Sequence, residues 1–200
     1  MLSYDNTTLV SNEISEIGSR SECTTKINFG SISLDIPIIA APMPDICNGK
    51  MATTLAKYGA LGIIHRFQSI EEQVNQLNFL PDVDQGETLA NNVKYLKNRP
   101  CAIGVSGDYQ ERFKVLYEAG CRTFCLDTAN GANKQVGEAV KWIKEWHRKK
   151  WEINKPDEGI YVPYVPKTID YIYLIAGNVA TAHGFEYLQD LGVDAIRVGI

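Results

Sequence analysis

Polar side chains that could do chemistry recur at the ends of short apolar runs. His65 and Arg66 come at the end of LGII, Asp127 and Thr128 follow TFCL, and Asn178 lies in YLIAGNVA. An aspartate at a strand end can hydrogen-bond a ribose or carboxamide, or relay a proton. An arginine can meet a phosphate or a developing anion. The alternatives are a helix cap for Asp127, a surface salt bridge for Arg66 and a turn role for Asn178.

The cysteines and histidines argue against a metal or disulfide framework. The chain has five cysteines, an odd number, and no CxxC spacing. Buried free thiols in a reducing cytoplasm fit this pattern better than a zinc site or a set of bridges. His65 could line a site, but no second histidine or acid stands at metal-ligand spacing. We therefore predict a cytoplasmic protein with no bound metal of this kind.

Composition and charge narrow the range of partners. The net charge is −4 and the pI about 5.4, so no general basic field is present to hold nucleic acid. The longest apolar run, IPIIAAPM at 36–43, is far shorter than the roughly 20 residues of a membrane span. KWIKEWHRKKW at 141–151 could be an RNA-binding or membrane-surface helix. Net acidity favours an outer helix with Val136, Val140 and Ile143 facing inward, and hence neither nucleic acid nor membrane as a partner.

Short apolar strands alternate with longer amphipathic helices along the chain. Helix signals include Ser69 with Glu72 three residues on, and Asp108 at the start of a helix that Gly120 ends. The first helix places Met51, Leu55 and Tyr58 on one face. Strands are predicted at 36–43, 61–65, 101–106, 123–131, 173–180 and 194–199, and helices at 49–59, 69–80, 108–120, 133–151 and 181–192.

The strands are nearly continuous apolar runs, which indicates parallel strands covered on both faces and joined by right-handed crossovers. A doubly wound sheet or a β/α barrel would satisfy this pattern. Polar residues at many strand ends favour the barrel, and no GxGxxG motif supports the open sheet. A complete barrel needs about 250 residues. We predict one α/β domain over 1–200, an incomplete TIM (β/α)8-type barrel with about six of its eight strands.

Several motifs, in order along nearly the whole chain, resemble one family. They are IPIIAAPM followed by MATTLAKYGALGIIHR, then LDTANG, then AGNVAT followed by GVDAIRVGI. Together they resemble the inosine monophosphate (IMP) dehydrogenases and guanosine monophosphate (GMP) reductases. The dehydrogenases usually carry a pair of regulatory CBS domains, where this chain has only the linker between Leu80 and Pro100. SRSEC, HRFQ and LDTANG are nearer the reductases, and the alternative is an IMP dehydrogenase without regulatory domains.

The resemblance implies an oxidoreductase of purine nucleotide interconversion. GMP and NADPH would give IMP and ammonia, by hydride transfer to a purine C2 held on a cysteine; the dehydrogenase alternative would use NAD and IMP. In the family that cysteine lies in a GPGSxCxT loop directly after RVGI, and this sequence stops before it. We therefore assign no nucleophile and expect no turnover from this chain alone. K+ and a homotetramer are expected only of the complete enzyme.

A different class of function is a non-catalytic remnant, or one half of a split enzyme that needs a complementary C-terminal polypeptide. The resemblance also carries site residues over to this chain. Asp127 matches a catalytic and cofactor-binding position, Met43 a methionine near the substrate, and Ser19 and Arg20 a pair that reaches the cofactor of a neighbouring subunit. After Met43 the chain departs from the family pattern. The predicted cofactor-binding residues are Ser19, Arg20, Arg66, Asp127, Thr128, Ala129, Asn178, Gly199 and Ile200.

Overall fold

The structure, a computed structural model, describes residues 4–8, 10, 14, 16–29, 32–78, 100–153 and 171–199. The polar linker before Pro100, the proline-rich segment at 154–170, the predicted helix end at 79–80 and Ile200 lie outside the described residues. No helix in the described part is long and apolar enough to cross a membrane.

The described residues contain eight strands, which form a hairpin and a parallel arrangement. β1 and β2 pair antiparallel, and β3 pairs parallel with β4. A parallel bridge between Ile64 and Cys101 joins β4 to β5, and β5 to β8 follow in chain order, all parallel. The strands are β1 Ile27–Phe29, β2 Ile32–Leu34, β3 Ile39–Ala40, β4 Leu61–Gly62, β5 Cys101–Ile103, β6 Thr123–Asp127, β7 Tyr173–Val179 and β8 Ala195–Val198.

This order confirms the predicted α/β class with a parallel sheet. The β1–β2 hairpin lies outside the six predicted strands, and β3 is much shorter than the predicted run at 36–43. Within the described residues β3 pairs only with β4, and β8 only with β7. The sheet is therefore open between these two edge strands, and barrel closure is not observed in the part of the chain that the structure describes.

In the described part of the chain, five α-helices connect the parallel strands. They are α1 Gly49–Lys57, α2 Ile70–Leu77, α3 Tyr109–Glu118, α4 Lys134–Ile153 and α5 Ala182–Asp190. The capping box predicted at Ser69 is confirmed, since its hydroxyl accepts the Glu72 N–H and Glu72 accepts the Ser69 N–H. Asp108 occupies the N-cap position of α3, but its carboxylate pairs with Arg112 instead of capping the helix. Gly120 ends α3 with φ +97°.

The apolar side chains predicted on one face of α1 are not the ones that pack closely on the sheet. Met51 and Tyr58 are 44% and 70% exposed. Ala52 and Ala56 are buried instead, and a Cβ on Gly62 would lie 2.5 Å from the Ala52 Cα. The helix packs so closely on β4 that only small side chains fit between them, and the larger apolar residues turn outward.

The outer face of the sheet packs against the helices in an aromatic layer. Phe113 of α3 is fully buried, and its ring centroid lies 4.5 Å from that of Phe124. Trp142 and Trp146 of α4 meet Phe113 edge to face, with centroids 5.8 and 5.3 Å away. Val136, Val140 and Ile143 are buried, as predicted for an outer helix. Trp142 and Trp146 of the basic segment thus serve packing between α3 and α4.

The inner face carries a smaller and separate cluster. Because side chains alternate across a strand, residues one position away from the outer set point to the concave side. Ala195 packs against this cluster and is partly buried. The fully buried members come from four neighbouring strands and their flanks: Ile63, Ala102, Cys125, Tyr173 and Ile175.

Candidate functional site

A polar layer follows the apolar cluster on the inner face. Two residues beyond Ile63 stands His65, two beyond Cys125 stands Asp127, and two beyond Ala195 stands Arg197. The alternation of the strands therefore brings these side chains to the carboxyl ends of the strands, where barrel enzymes build their sites. We call this layer, together with Arg66 and Asn178, the rim.

Asp127 lies between two arginines. Arg197 Nη1 donates to Asp127 Oδ1 at 2.6 Å, and it also lies 3.7 Å from Cys125 Sγ. Arg66 Nε lies 3.4 Å from Asp127 Oδ2, at a geometry that makes no hydrogen bond. The carboxylate thus faces two guanidinium groups and leaves one positive charge in excess. Such a cluster suits an anionic ligand that also presents hydroxyl or amide groups.

Gly177 makes room for Arg197. A Cβ at Gly177 would lie 2.6 Å from the Arg197 Cβ and 2.8 Å from its carbonyl oxygen. A Cβ at Gly131 would meet the Gly177 Cα at 2.9 Å. A larger residue at Gly177 would push β8 away from β7, and a larger residue at Gly131 would push the loop after β6 away from β7. The glycine of the AGNV motif is therefore a packing requirement of the rim.

Backbone and hydroxyl hydrogen bonds join the ends of β6 and β7. The Thr128 N–H and Oγ1 both donate to the Gly177 carbonyl, at 3.0 and 2.8 Å. The Asn178 N–H donates to the Thr128 carbonyl at 2.7 Å, and the Asn178 carbonyl accepts from Gly131 at 2.7 Å. The N–H and hydroxyl of Thr128 thus join the ends of β6 and β7, while the Asn178 side chain takes no part in these hydrogen bonds.

Hydrogen-bonding capacity is left over at the rim. Within the described residues, four buried side-chain atoms have no hydrogen-bond partner, and three belong to the rim: His65 Nδ1, Arg66 Nε and Asn178 Oδ1. A buried polar atom without a partner costs free energy, so such atoms are uncommon in folded proteins. Their concentration at the carboxyl ends of the strands indicates a place prepared for a ligand that supplies both donors and acceptors.

Burial favours the neutral forms of the Cys125 thiol and the His65 imidazole. Burial raises the pKa of the Cys125 thiol to about 11, although the adjacent Arg197 favours the thiolate. Burial also lowers the pKa of the His65 imidazole, against the opposing charge of Asp45. Cys125 is therefore a thiol at neutral pH and unsuited to attack a substrate. The described residues contain no group of three or more His, Cys, Asp or Glu that could hold a metal ion.

The structure brings together only part of the predicted site. Ser19 and Arg20 lie in an exposed turn, and their hydrogen bonds remain within 18–23 in the described chain. Met43 is 53% exposed in the loop after β3, where its carbonyl accepts two backbone N–H groups. Ala129 is exposed beside the rim. Gly199, at φ +107°, donates its N–H to Val179, and Ile200 lies outside the described residues.

Arg197 is the rim residue that the sequence prediction missed. It lies 70 positions from Asp127, and the local sequence RVGI does not predict that Arg197 pairs with Asp127. The available signal was strand alternation, which places Arg197 on the same face as Ala195. Arg197 also lines a cavity of about 250 Å³ between the two edge strands β3 and β8. Its other lining residues are Ile39, Ala40, Ala41, Pro42, Ile63, Ile175, Ala195 and Ile196.

Comparison with known proteins gives the family. The family model described as "IMP dehydrogenase / GMP reductase domain" matches residues 1–154, more than half of the chain. This chain belongs to the IMP dehydrogenase / GMP reductase family. The matched region contains β1 to β6 with Arg66 and Asp127, and the resemblance of the sequence motifs to this family is confirmed.

This chain is similar to proteins named GMP reductase and to a protein named inosine-5'-monophosphate dehydrogenase. A GMP reductase of Oenococcus oeni is 28% identical over 199 residues, which cover 98% of this chain and 50% of the relative. A GMP reductase of Bacillus subtilis is 26% identical over 186 residues, covering 92% of this chain and 46% of the relative. An inosine-5'-monophosphate dehydrogenase of Nitrosopumilus maritimus is 25% identical over 313 residues, covering all of this chain and 61% of the relative. The chain thus spans about half the length of the reductases it matches.

Proposed function

We propose that this chain forms the cofactor-binding half of a GMP reductase-like enzyme and that its rim binds NADPH. The observation that carries the proposal is Asp127 between two arginines, with unpartnered buried atoms of His65, Arg66 and Asn178 at the same ends of the strands. These groups suit a nicotinamide dinucleotide, which has a carboxamide, ribose hydroxyls and phosphates. When bound, NADPH supplies a hydride for the reduction of a purine ring.

Each rim residue has a distinct part in this proposal. Asp127 accepts hydrogen bonds from ribose hydroxyls through the lone pairs that Arg197 leaves free, since a carboxylate has about four acceptor positions. The free Asn178 Oδ1 accepts from the carboxamide N–H. Arg66 contributes positive charge for a cofactor phosphate, and its guanidinium lies over the Phe67 ring, 4.5 Å from the centroid. Arg197 keeps the carboxylate oriented toward the ligand.

The reductase is favoured over the dehydrogenase by the pattern of the alignments. The O. oeni reductase aligns over 199 residues, close to the length of this chain. The N. maritimus dehydrogenase alignment extends over 313 residues although this chain has 200, so it contains long gaps. This supports an arrangement without the intervening regulatory domains of the dehydrogenases. The substrates proposed are therefore GMP and NADPH, with IMP, ammonia and NADP+ as products.

The thiol for covalent catalysis is proposed to come from outside the described residues. Cys47, Cys101, Cys121 and Cys125 are fully buried, and Cys23 lies in the exposed turn at 19–23. We propose that a complementary polypeptide, paired with β3 and β8, supplies the nucleophile. Adding the part of the O. oeni reductase outside the aligned half should produce NADPH oxidation with GMP, and the isolated chain should produce none. Turnover by the isolated chain would contradict this part of the proposal.

The binding test compares NADPH and NADH by fluorescence titration of the chain. The unchanged chain should bind NADPH more tightly than NADH. Asp127→Asn and Arg66→Met should each weaken NADPH binding by about tenfold or more, since charged hydrogen bonds typically contribute about 1.5–3 kcal/mol. Arg66→Met should also remove most of the preference for NADPH.

The matched control is Asp35→Asn. Asp35 also forms an ion pair, with Lys26 at 3.3 Å, but it contacts Gly59 at the opposite end of β4 from the rim. This variant should bind NADPH as the unchanged chain does. Tighter binding of NADH than NADPH would favour the dehydrogenase alternative. Absence of saturable binding to either would refute the proposal.

A further inference from the structure

Arg112 of α3 is a buried arginine whose bonds converge on the loop that carries Arg66. It is 7% exposed. Its charge is balanced by Asp108, which accepts from Nη2 at 2.8 Å and from Nε at 3.4 Å. Nη1 donates to Gln73 Oε1 at 2.8 Å, and Nη2 also donates to the Gln68 carbonyl at 2.9 Å. One guanidinium thus connects α3, α2 and the β4–α2 loop.

Gln68 accepts the Arg112 hydrogen bond, and its own backbone and side chain make further hydrogen bonds. Its side-chain Nε2 donates to the His65 carbonyl at 2.7 Å, and its backbone N–H donates to the Arg66 carbonyl at 2.9 Å. Its Oε1 accepts from Gln76 Nε2 at 2.7 Å. Gln68 therefore fixes the backbone on both sides of the Arg66 Cα, and Arg112 fixes Gln68.

The chain continues from Gln73 into the sheet. Gln73 is fully buried, and its Nε2 donates to the Ala102 carbonyl of β5 at 2.8 Å. Ala102 belongs to the inner-face cluster below the rim. The hydrogen-bond network therefore anchors the β4–α2 loop to the strands that carry the site. The loop is thus tied to β5 through the buried side chain of Gln73.

The contacts shown for the Arg66 side chain are weak ones, the ion pair with Asp127 at 3.4 Å and the cation–π contact with Phe67 at 4.5 Å. The Arg66 side chain is 32% exposed and makes no hydrogen bond through Nε, and a partly exposed ion pair contributes little stability. Charge-assisted hydrogen bonds of a buried guanidinium are much stronger. We propose that Arg112 is a positioning residue that, through Gln68, holds Arg66 beside Asp127. The value of this position for cofactor binding rests on the proposed function, but the positioning does not.

The first test needs no ligand. In spectra of the chain with 15N-labelled arginine, the Nε–H signal of Arg66 is assigned by its loss in Arg66→Lys. Arg112→Met should move this signal toward that of a solvent-exposed arginine. The matched control, Arg122→Met, removes another partly buried arginine that donates to two carbonyls, of Tyr117 and Cys121, at 2.8 and 2.9 Å. Arg122 precedes β6 at its amino end, so the Arg66 signal should stay in place.

Two results of this test would overturn the positioning role. One is an unmoved Arg66 signal in folded Arg112→Met, and the other is an equal movement in both variants. If Arg112→Met does not fold, Arg112→Lys replaces it. A lysine keeps the charge beside Asp108 but cannot reach Gln73 and the Gln68 carbonyl with the geometry of a fork. Arg112→Lys should therefore move the Arg66 signal in the same direction, and an unmoved signal in this variant also overturns the proposal.

The second test is a double-mutant cycle on NADPH binding. Arg112→Met should weaken binding about tenfold in the unchanged chain but less than about twofold when Arg66 is already methionine, because residues acting through one another are not additive. The same loss in both backgrounds would show that Arg112 acts independently of Arg66 and would overturn the proposal. If the unchanged chain does not bind NADPH, the proposed function fails while the arginine spectra still decide the positioning role.

Discussion

The two faces of the parallel sheet come from the same strands but carry different side chains: the outer face is apolar, and the inner face ends in a charged layer. On the outer face, Phe113 and Phe124 pack with Trp142 and Trp146 of α4 and fill the space between the sheet and the helices. On the inner face, a smaller apolar cluster is followed by a charged layer of Asp127 and Arg197. Unpartnered buried atoms occur at the end of the inner face. The outer face is closely packed and stabilises the fold. The inner face leaves buried polar atoms unpaired at the place where a ligand is proposed to bind.

The largest expected effect tests the outer face. Phe113→Ala removes the ring at the centre of the aromatic layer and leaves a cavity between α3, α4 and β6. It should lower the free energy of unfolding by about 3–5 kcal/mol. Urea denaturation followed by tryptophan fluorescence measures this loss. A loss below about 1 kcal/mol would contradict a central packing role for Phe113. The fraction that remains folded should bind NADPH unchanged, which separates the two faces.

Gly177→Ala tests the contact between β7 and β8 at the rim. The new Cβ would stand 2.6 Å from the Arg197 Cβ, so the strands must shift. We expect a loss of about 1–3 kcal/mol in the free energy of unfolding together with weaker NADPH binding. Gly104→Ala is the matched control, because its Cβ would meet Arg66 Nη1 and the Ser106 carbonyl only at 3.8 and 3.9 Å. Equal effects of the two substitutions would contradict the close approach of β8 to β7.

The smallest effect concerns the neutral imidazole of His65. Burial lowers the pKa of His65 in the folded chain, so the unfolded chain binds a proton first as the pH falls. The stability contributed by the neutral form is present above pH 6.5, the ordinary value, and declines below it. Thermal unfolding at pH values on either side of 6.5 should show a fall in midpoint on acidification that His65→Asn reduces.

His183→Asn is the control for this pH dependence. His183 is exposed on α5, so its substitution should leave the fall in midpoint as it is in the unchanged chain. The same reduction from both histidine variants would place the titrating group elsewhere. An undiminished fall in His65→Asn would show that His65 is not buried as neutral imidazole.

Short-range patterns predicted much of the fold. The apolar runs gave the parallel α/β class, and Ser69 with Glu72 gave the start of α2, because a helix cap depends only on residues three positions apart. For α1, periodicity predicts Met51, Leu55 and Tyr58 on one face, but Met51 and Tyr58 are exposed. Periodicity shows that a helix has an apolar face, but the distance to β4 decides whether large residues or Ala52 and Ala56 occupy the contact.

The sequence by itself determined which residue types stand at the strand ends, and with them the family. Asp127, Arg66 and Asn178 follow apolar runs, and a strand's end can be recognised locally. Only the tertiary structure decided their partners. Arg197 pairs with Asp127 across 70 positions, and Arg112 reaches the Gln68 carbonyl across 44. These pairs depend on strand register and helix docking, which sum many weak contacts along the chain, so no local pattern encodes them.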